Sequence, residues 1–234
     1  MKKLLIISTL LFIVGLAAVY LLYHGYLRFN YPSREDFPLQ GIDISHHQGE
    51  IRWEELRTEN LSFVIIKATE GGDYVDPRFA ANWANSRKNG YATGAYHFYR
   101  LCKSGREQAE NFIRTVPVDS VSLPPTIDLE FGGNCATMQE TDEDVREIQV
   151  FLTLLEQHYK KRPILYATRE FYDAYLTNTW LDYPLWIRDI YRQPTFGNRS
   201  WSLWQFANRA HLSGIDTYVD LNALNGKSLK ELEN

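Results

Sequence analysis

The sequence predicts an α/β protein, an irregular TIM-like (β/α)5β3 barrel preceded by an N-terminal transmembrane helix. Three observations carry this expectation. Short β-rich runs alternate with helical patterns five times, and strand–helix–strand alternation imposes parallel strands with right-handed crossovers. Three more strand-like runs then follow without a long amphipathic helix between them, and eight strands can close a barrel. The roughly 195 residues available fall below the ~250 of a full eight-helix barrel, so helices should be missing on the C-terminal side. Composition agrees: 44% of the 234 residues are hydrophobic and 14% aromatic, with 14 Gly and 9 Pro. That excludes disordered and collagen-like classes and leaves room for one sizeable core.

Residues 1–23 read as a membrane anchor. Leu4 to Tyr23 is a stretch of twenty uncharged residues with Lys2 and Lys3 before it and Arg28 and Arg34 after it. At 1.5 Å per residue such a helix spans roughly 30 Å, the thickness of a bilayer core. Tyr20, Tyr23 and Tyr26 stand where an interfacial aromatic belt would, and Lys2-Lys3 argue for the N-terminus inside and the domain outside. The alternative is a signal peptide cut near Ala18. Three of the 25 basic residues lie in 1–30, so 22 face all 29 acids in the rest, leaving no electrostatic footprint for nucleic acid. Residues 24–39, with Pro32 and Pro38, read as a linker that lifts the domain off the headgroups, and 40–234 as the barrel.

Within the barrel region the expected strands are Gly41–Ser45, Phe63–Ala68, Ala92–Tyr99, Thr126–Glu130 and Ile164–Ala167, each β-branched or aromatic and bounded by turn residues. Helical patterns fall at Trp53–Thr58, Pro77–Lys88, Arg106–Thr115 and Phe171–Leu176. The strongest starts at Thr141, with Asp144 three residues on in a capping-box-like entry, and carries Val145, Ile148, Leu152, Leu155 and Tyr159 on one face. Pro184–Ile190, Ser202–Phe206 and Tyr218–Leu221 complete the strands. Cys102 and Cys135 both follow the same ends of neighbouring strands, and outside the cytoplasm such a pair is expected to be bridged. Neither CxxC nor HExxH is present, which disfavours zinc.

In such barrels reactive groups sit where the strands end in the open mouth. Asp43, Glu70, Asp128, Glu130 and Asp220 all fall at such ends. Any one of them alone reads equally well as a turn or solvated acid. Asp128-Leu129-Glu130 is more specific, because side chains two apart on a strand share a face. An apolar strand gains no stability from ending on two inward carboxylates, since burying charge costs several kcal/mol. Paired acids of separated pKa are what glycoside hydrolysis uses. Tyr96, Phe98, Tyr166, Trp186, Trp204 and Tyr218 offer flat faces for sugar rings, although core packing accounts for many such aromatics. His46-His47 invites a metal reading, but neighbouring strand residues face opposite ways, so only one is expected at the mouth.

Seven ordered motifs carry a resemblance: Asp43-Ile44-Ser45 with Gln48, Ala68-Thr69-Glu70-Gly71, Gly94-Ala95-Tyr96-His97-Phe98, Asp128-Leu129-Glu130, Pro184-Leu185-Trp186-Ile187, Leu203-Trp204-Gln205-Phe206 and Val219-Asp220-Leu221-Asn222. Together, across residues 40–226, the chain resembles glycoside hydrolase family 25 lysozymes. The resemblance implies an N-acetylmuramidase cleaving the β-1,4 bond between N-acetylmuramic acid and N-acetylglucosamine in peptidoglycan, with no metal or other cofactor. It implies Glu130 as general acid and Asp128 as its partner, working through the substrate's 2-acetamido group or as nucleophile. Asp43 and Asp220 match two further acids of the cleft, and Glu70, Tyr96, Trp204 and Gln205 fall at mouth positions suited to sugar contacts. Arg188-Asp189 departs from the common pattern; Arg188 is expected either to bind substrate carboxylate or to pair with Asp189. A monomer is expected, with peptidoglycan and the membrane as partners, and the domain in the periplasm or outside the cell. A non-catalytic glycan-binding module is the alternative, and a chitin-cleaving enzyme a distant third.

Overall fold

A computed structural model describes residues 2–135, 142–195 and 199–233. Helix α1 (Lys2–Tyr23) has a mean hydropathy of 2.7 and buries none of its side chains. Its length matches an apolar bilayer core. The barrel strands are β1 (Gln40–Ile44), β2 (Phe63–Glu70), β4 (Ala92–Phe98), β5 (Thr126–Leu129), β6 (Ile164–Ala167), β7 (Leu185–Arg188), β8 (Leu203–Ala210) and β9 (Val219–Leu224). A two-residue strand β3 (Tyr74–Val75) hairpins onto the end of β2, with too few residues to leave a pattern in the sequence. Neighbours from β1 through β8 pair in parallel, and β9 closes the circle between β8 and β1.

Closure is antiparallel on both sides of β9. The sequence pattern puts Asp220 at the C-terminal end of the last strand. In fact Asp220 reaches the mouth because β9 runs the other way and begins there, its Cα opposite that of Asp43. Without a helix between β8 and β9 there is no crossover to force parallel pairing, and a short connection returns the chain antiparallel.

Helices α2 (Trp53–Leu56), α3 (Phe79–Lys88), α4 (Gly105–Thr115), α5 (Asp142–Tyr159) and α6 (Arg169–Phe171) cover the outside. α2 runs on into a 3-10 turn, and α6 into one turn of π-helix, Tyr172–Leu176. The expected cap at Thr141 lies outside the described residues. Alternation along every strand separates two cores. Ile42, Val64, Ile66, Ile127, Leu165 and Ile187 point outward beneath the outer layer, as does Phe206, which packs against Tyr31. Phe63, Ile65, Ile164, Leu203 and Leu224 point inward and fill the base. At Gly41 a Cβ would lie 2.4 Å from the Phe63 ring, so glycine is what lets Phe63 plug that end.

Residues 24–39 do not stand clear of the barrel. Asn30 Nδ2 donates to the carbonyls of Ile190 and Phe206 (both 2.8 Å), and Phe37 packs on Trp201. Cys102, after β4, is bonded to Cys135, after β5, with Cα atoms 5.9 Å apart.

Candidate active site

The inward side chains change from apolar at the base to polar at the mouth, following the same parity. Phe63 and Ile65 give way to Lys67, Ile164 to Tyr166, and Leu203 to Gln205, while β5 adds Asp128 and, just past its end, Glu130. Together they line an open cavity of about 360 Å³ that also takes in Asp43, Ser45, His47, Tyr96, Phe98, Trp186, Arg188, Asn208 and Asp220. Thus Asp43, Asp128, Glu130, Asp220, Tyr96, Gln205 and Arg188, all singled out in the sequence, are brought together.

Three expected residues are not. Trp204 is adjacent to Gln205 on β8, so the two face opposite ways. Gln205 points into the cavity, while Trp204 packs outward against Trp201 and Phe206 and donates its indole N–H to the Asp189 carbonyl (2.7 Å). Glu70 does not line the cavity; it accepts from Lys67 Nζ (2.7 Å) and from Arg100 (3.3 Å), and so holds Lys67. Tyr218 also stays off the lining, its hydroxyl 2.6 Å from His24 Nδ1.

A hydrogen-bond chain fixes the floor. Tyr166 OH donates to Gln205 Oε1 (3.0 Å), and Gln205 Nε2 donates to Asp43 Oδ1 (3.0 Å). From the other side Trp186 Nε1 donates to Asn222 Oδ1 (2.9 Å), and Asn222 Nδ2 donates to Asp43 Oδ1 (2.7 Å). These contacts set both amide orientations and leave Asp43 an acceptor of two donors. Burial raises Asp43, and those donors oppose the rise. Asp220 is pushed well up by burial and then by the Asp43 charge.

Burial also pushes Asp128 well above the usual carboxylate range, with Glu130 and Asp43 adding to it and Lys67 opposing. Glu130 is raised by burial and pulled back first by Arg188. Asp128 Oδ1 is buried without a hydrogen-bond partner among the described residues. A buried acceptor left unmade is costly, which marks a place where a donor from outside would be bound. Among the described residues Arg188 is not paired with Asp189, whose Oδ1 instead accepts the backbone N–H groups of Tyr191 and Arg192. Arg188 itself lines the cavity with the acids, close enough for its charge to lower Glu130.

His46 and His47 lie in a 3-10 turn rather than on the strand, with rings 4.0 Å apart. His46 bonds Asp76 (2.8 Å) and His47 alone reaches the cavity. Tyr166 and Trp186, expected as faces for sugar rings, do line the cavity, whereas Lys67 on the lining and Asn222 beneath it carry no expected role from sequence. The signal for Lys67 was available: in Phe63-Val64-Ile65-Ile66-Lys67, period-two reading puts Lys67 on the face of Phe63 and Ile65.

The model of the family described as glycosyl hydrolases family 25 matches residues 42–215. The solved structure of a family 25 glycosyl hydrolase from Bacillus anthracis is 37% identical, with a TM-score of 0.79 over 88% of this chain and 97% of that one. The lysozyme from Streptomyces coelicolor is 31% identical, with a TM-score of 0.75 over 84% and 97%. Lysozyme M1 of Streptomyces globisporus is 32% identical over 83% of this chain and 70% of its own. With its barrel, its acid-lined mouth and these similarities, the chain belongs to glycosyl hydrolase family 25 and is a glycoside hydrolase.

Proposed function

We propose that the chain is an N-acetylmuramidase that hydrolyses the β-1,4 bond between N-acetylmuramic acid and N-acetylglucosamine in peptidoglycan. The pair Asp128 and Glu130 on one face of a strand end, both raised by burial in an open polar cavity, carries this reading. The family relatives named as lysozymes support the substrate.

Glu130 is the outer member of the pair, and protonated it donates to the glycosidic oxygen as the bond from C1 breaks. Asp128 lies one step deeper, and its unpartnered Oδ1 suits the N–H of a 2-acetamido group. Holding that N–H aims the acetamido oxygen at C1, which takes the place of the departing bond. Water then attacks C1, the acetamido oxygen leaves, and Glu130 recovers a proton from the water. Direct attack by Asp128 is the other route. Asp43 and Asp220 hold the proton inventory of the floor, and Tyr96, Gln205 and Arg188 contact the sugar and its carboxylate substituents. Helix α1 anchors the barrel with the cleft outside the cytoplasm.

Digesting purified peptidoglycan with the full-length chain in detergent, followed by mass spectrometry of the new ends, tests this. Reducing N-acetylmuramic acid is expected. Reducing N-acetylglucosamine would contradict the bond assignment, and uncut glycan that co-sediments with the protein would favour the binding-module reading.

A further inference from the structure

Where α1 joins the barrel has a consequence for which glycan can be cut. The strand β8 ends at the mouth, and β9 begins there. The C-terminal end of α1 is fastened to that rim: Arg209 Nη1 donates to the Tyr23 carbonyl (2.8 Å), its guanidinium lies 4.1 Å from the Tyr23 ring, and His211 Nε2 bonds the His24 carbonyl (2.8 Å). Tyr26 stacks on His211 at 4.5 Å. From there the stem descends antiparallel to β8, held at Asn30 by the Phe206 carbonyl and at Phe37 by Trp201, until Gln40 opens β1 at the base. All sixteen residues of that helix from Lys2 to Ala17 are exposed. The helix therefore leaves the barrel at the catalytic end. Beside its exit Phe29 is 80% exposed and Tyr191 73% exposed, aromatic side chains at the level where a bilayer interface favours them.

We propose that the stem is a strut which turns the mouth toward the bilayer from which α1 emerges, with Phe29 and Tyr191 seated among the headgroups, so that the cleft takes glycan lying against the membrane. The inference rests on the reading of α1 as an anchor. A flexible linker would let the cleft sample a wide shell around its anchor point. A stem bonded along the barrel wall does not, and the occupant of the gap between mouth and headgroups is a glycan chain running parallel to the membrane.

The test is depth-dependent quenching on the full chain in liposomes containing nitroxide lipids. The native cysteines are bonded to each other, so Tyr191→Cys or Lys227→Cys introduces a single labelling site, one at the mouth and one at the base. Quenching several-fold stronger at position 191 than at 227 is expected, and equal or reversed quenching in protein that floats with the vesicles overturns the inference alone. Failure to float after an alkaline wash removes the anchor reading and the inference with it. The pair Arg209→Ala with His211→Ala should lower the rate on glycan tethered to the same vesicles several-fold relative to free wall fragments. An unchanged ratio counts against the strut.

Discussion

Asp220 is where the stability of the cleft and its chemistry pull apart. It ionises near the ordinary 3.8 in the unfolded chain but much higher when folded, because burial and the neighbouring Asp43 charge both oppose its anion. Across that interval the folded chain holds the extra proton, so the stability contribution is complete below the unfolded value and falls as pH rises through the folded one. Asp220→Asn keeps a donor toward Asp43 and removes the ionisation. It should raise the melting temperature at pH 8 more than at pH 4 while lowering activity; an equal or lower melting temperature at pH 8 would contradict the assignment. At this scale the sequence was readable where two residues share a strand face, as with Asp128 and Glu130. It misled where the same rule was not applied, since Trp204 and Gln205 cannot both enter one cavity. Asn222 needed the fold: only the antiparallel β9 shows that it lies beside Asp43 and orients it.

The β5 end, which carries Asp128 and Glu130, is held by the loop that follows it. Asn134 Nδ2 donates to the carbonyls of Glu130 (2.9 Å) and Tyr99 (2.7 Å), and its Oδ1 accepts from Leu101 N (2.9 Å). The next residue, Cys135, is tied to Cys102, so one crosslink binds the β4 and β5 exits together beside Glu130. Closing a loop over a separation of 33 residues restricts the unfolded chain, worth about 3 to 4 kcal/mol in the loop-entropy model. Reduction should therefore lower the melting temperature and loosen the Glu130 loop. Identical melting with and without reductant would contradict this. The strands were legible because alternation and turn residues are local signals. The direction of β9 and the hairpin at Tyr74–Val75 were not, since the first depends on closure and the second on two residues.

At the scale of the molecule, a long apolar helix and an acid-lined barrel are joined through a stem that packs on the barrel wall. The helix was legible from length and flanking charge alone, whereas the packing of residues 24–39 depends on carbonyls and rings of β8 that are distant in sequence. An anchored chain should stay in the membrane fraction after alkaline extraction, with the barrel open to protease added from outside. Release into the soluble fraction would mean the segment is cut.

In the proposed reaction Glu130 supplies the proton for glycan cleavage. The most direct measurement compares the rate of peptidoglycan digestion by the full-length chain and its Glu130→Gln variant, with circular dichroism to establish that both are folded. A loss of about 10²- to 10⁴-fold is expected of a general acid. Activity within a few-fold of the parent in a folded Glu130→Gln protein would contradict the account.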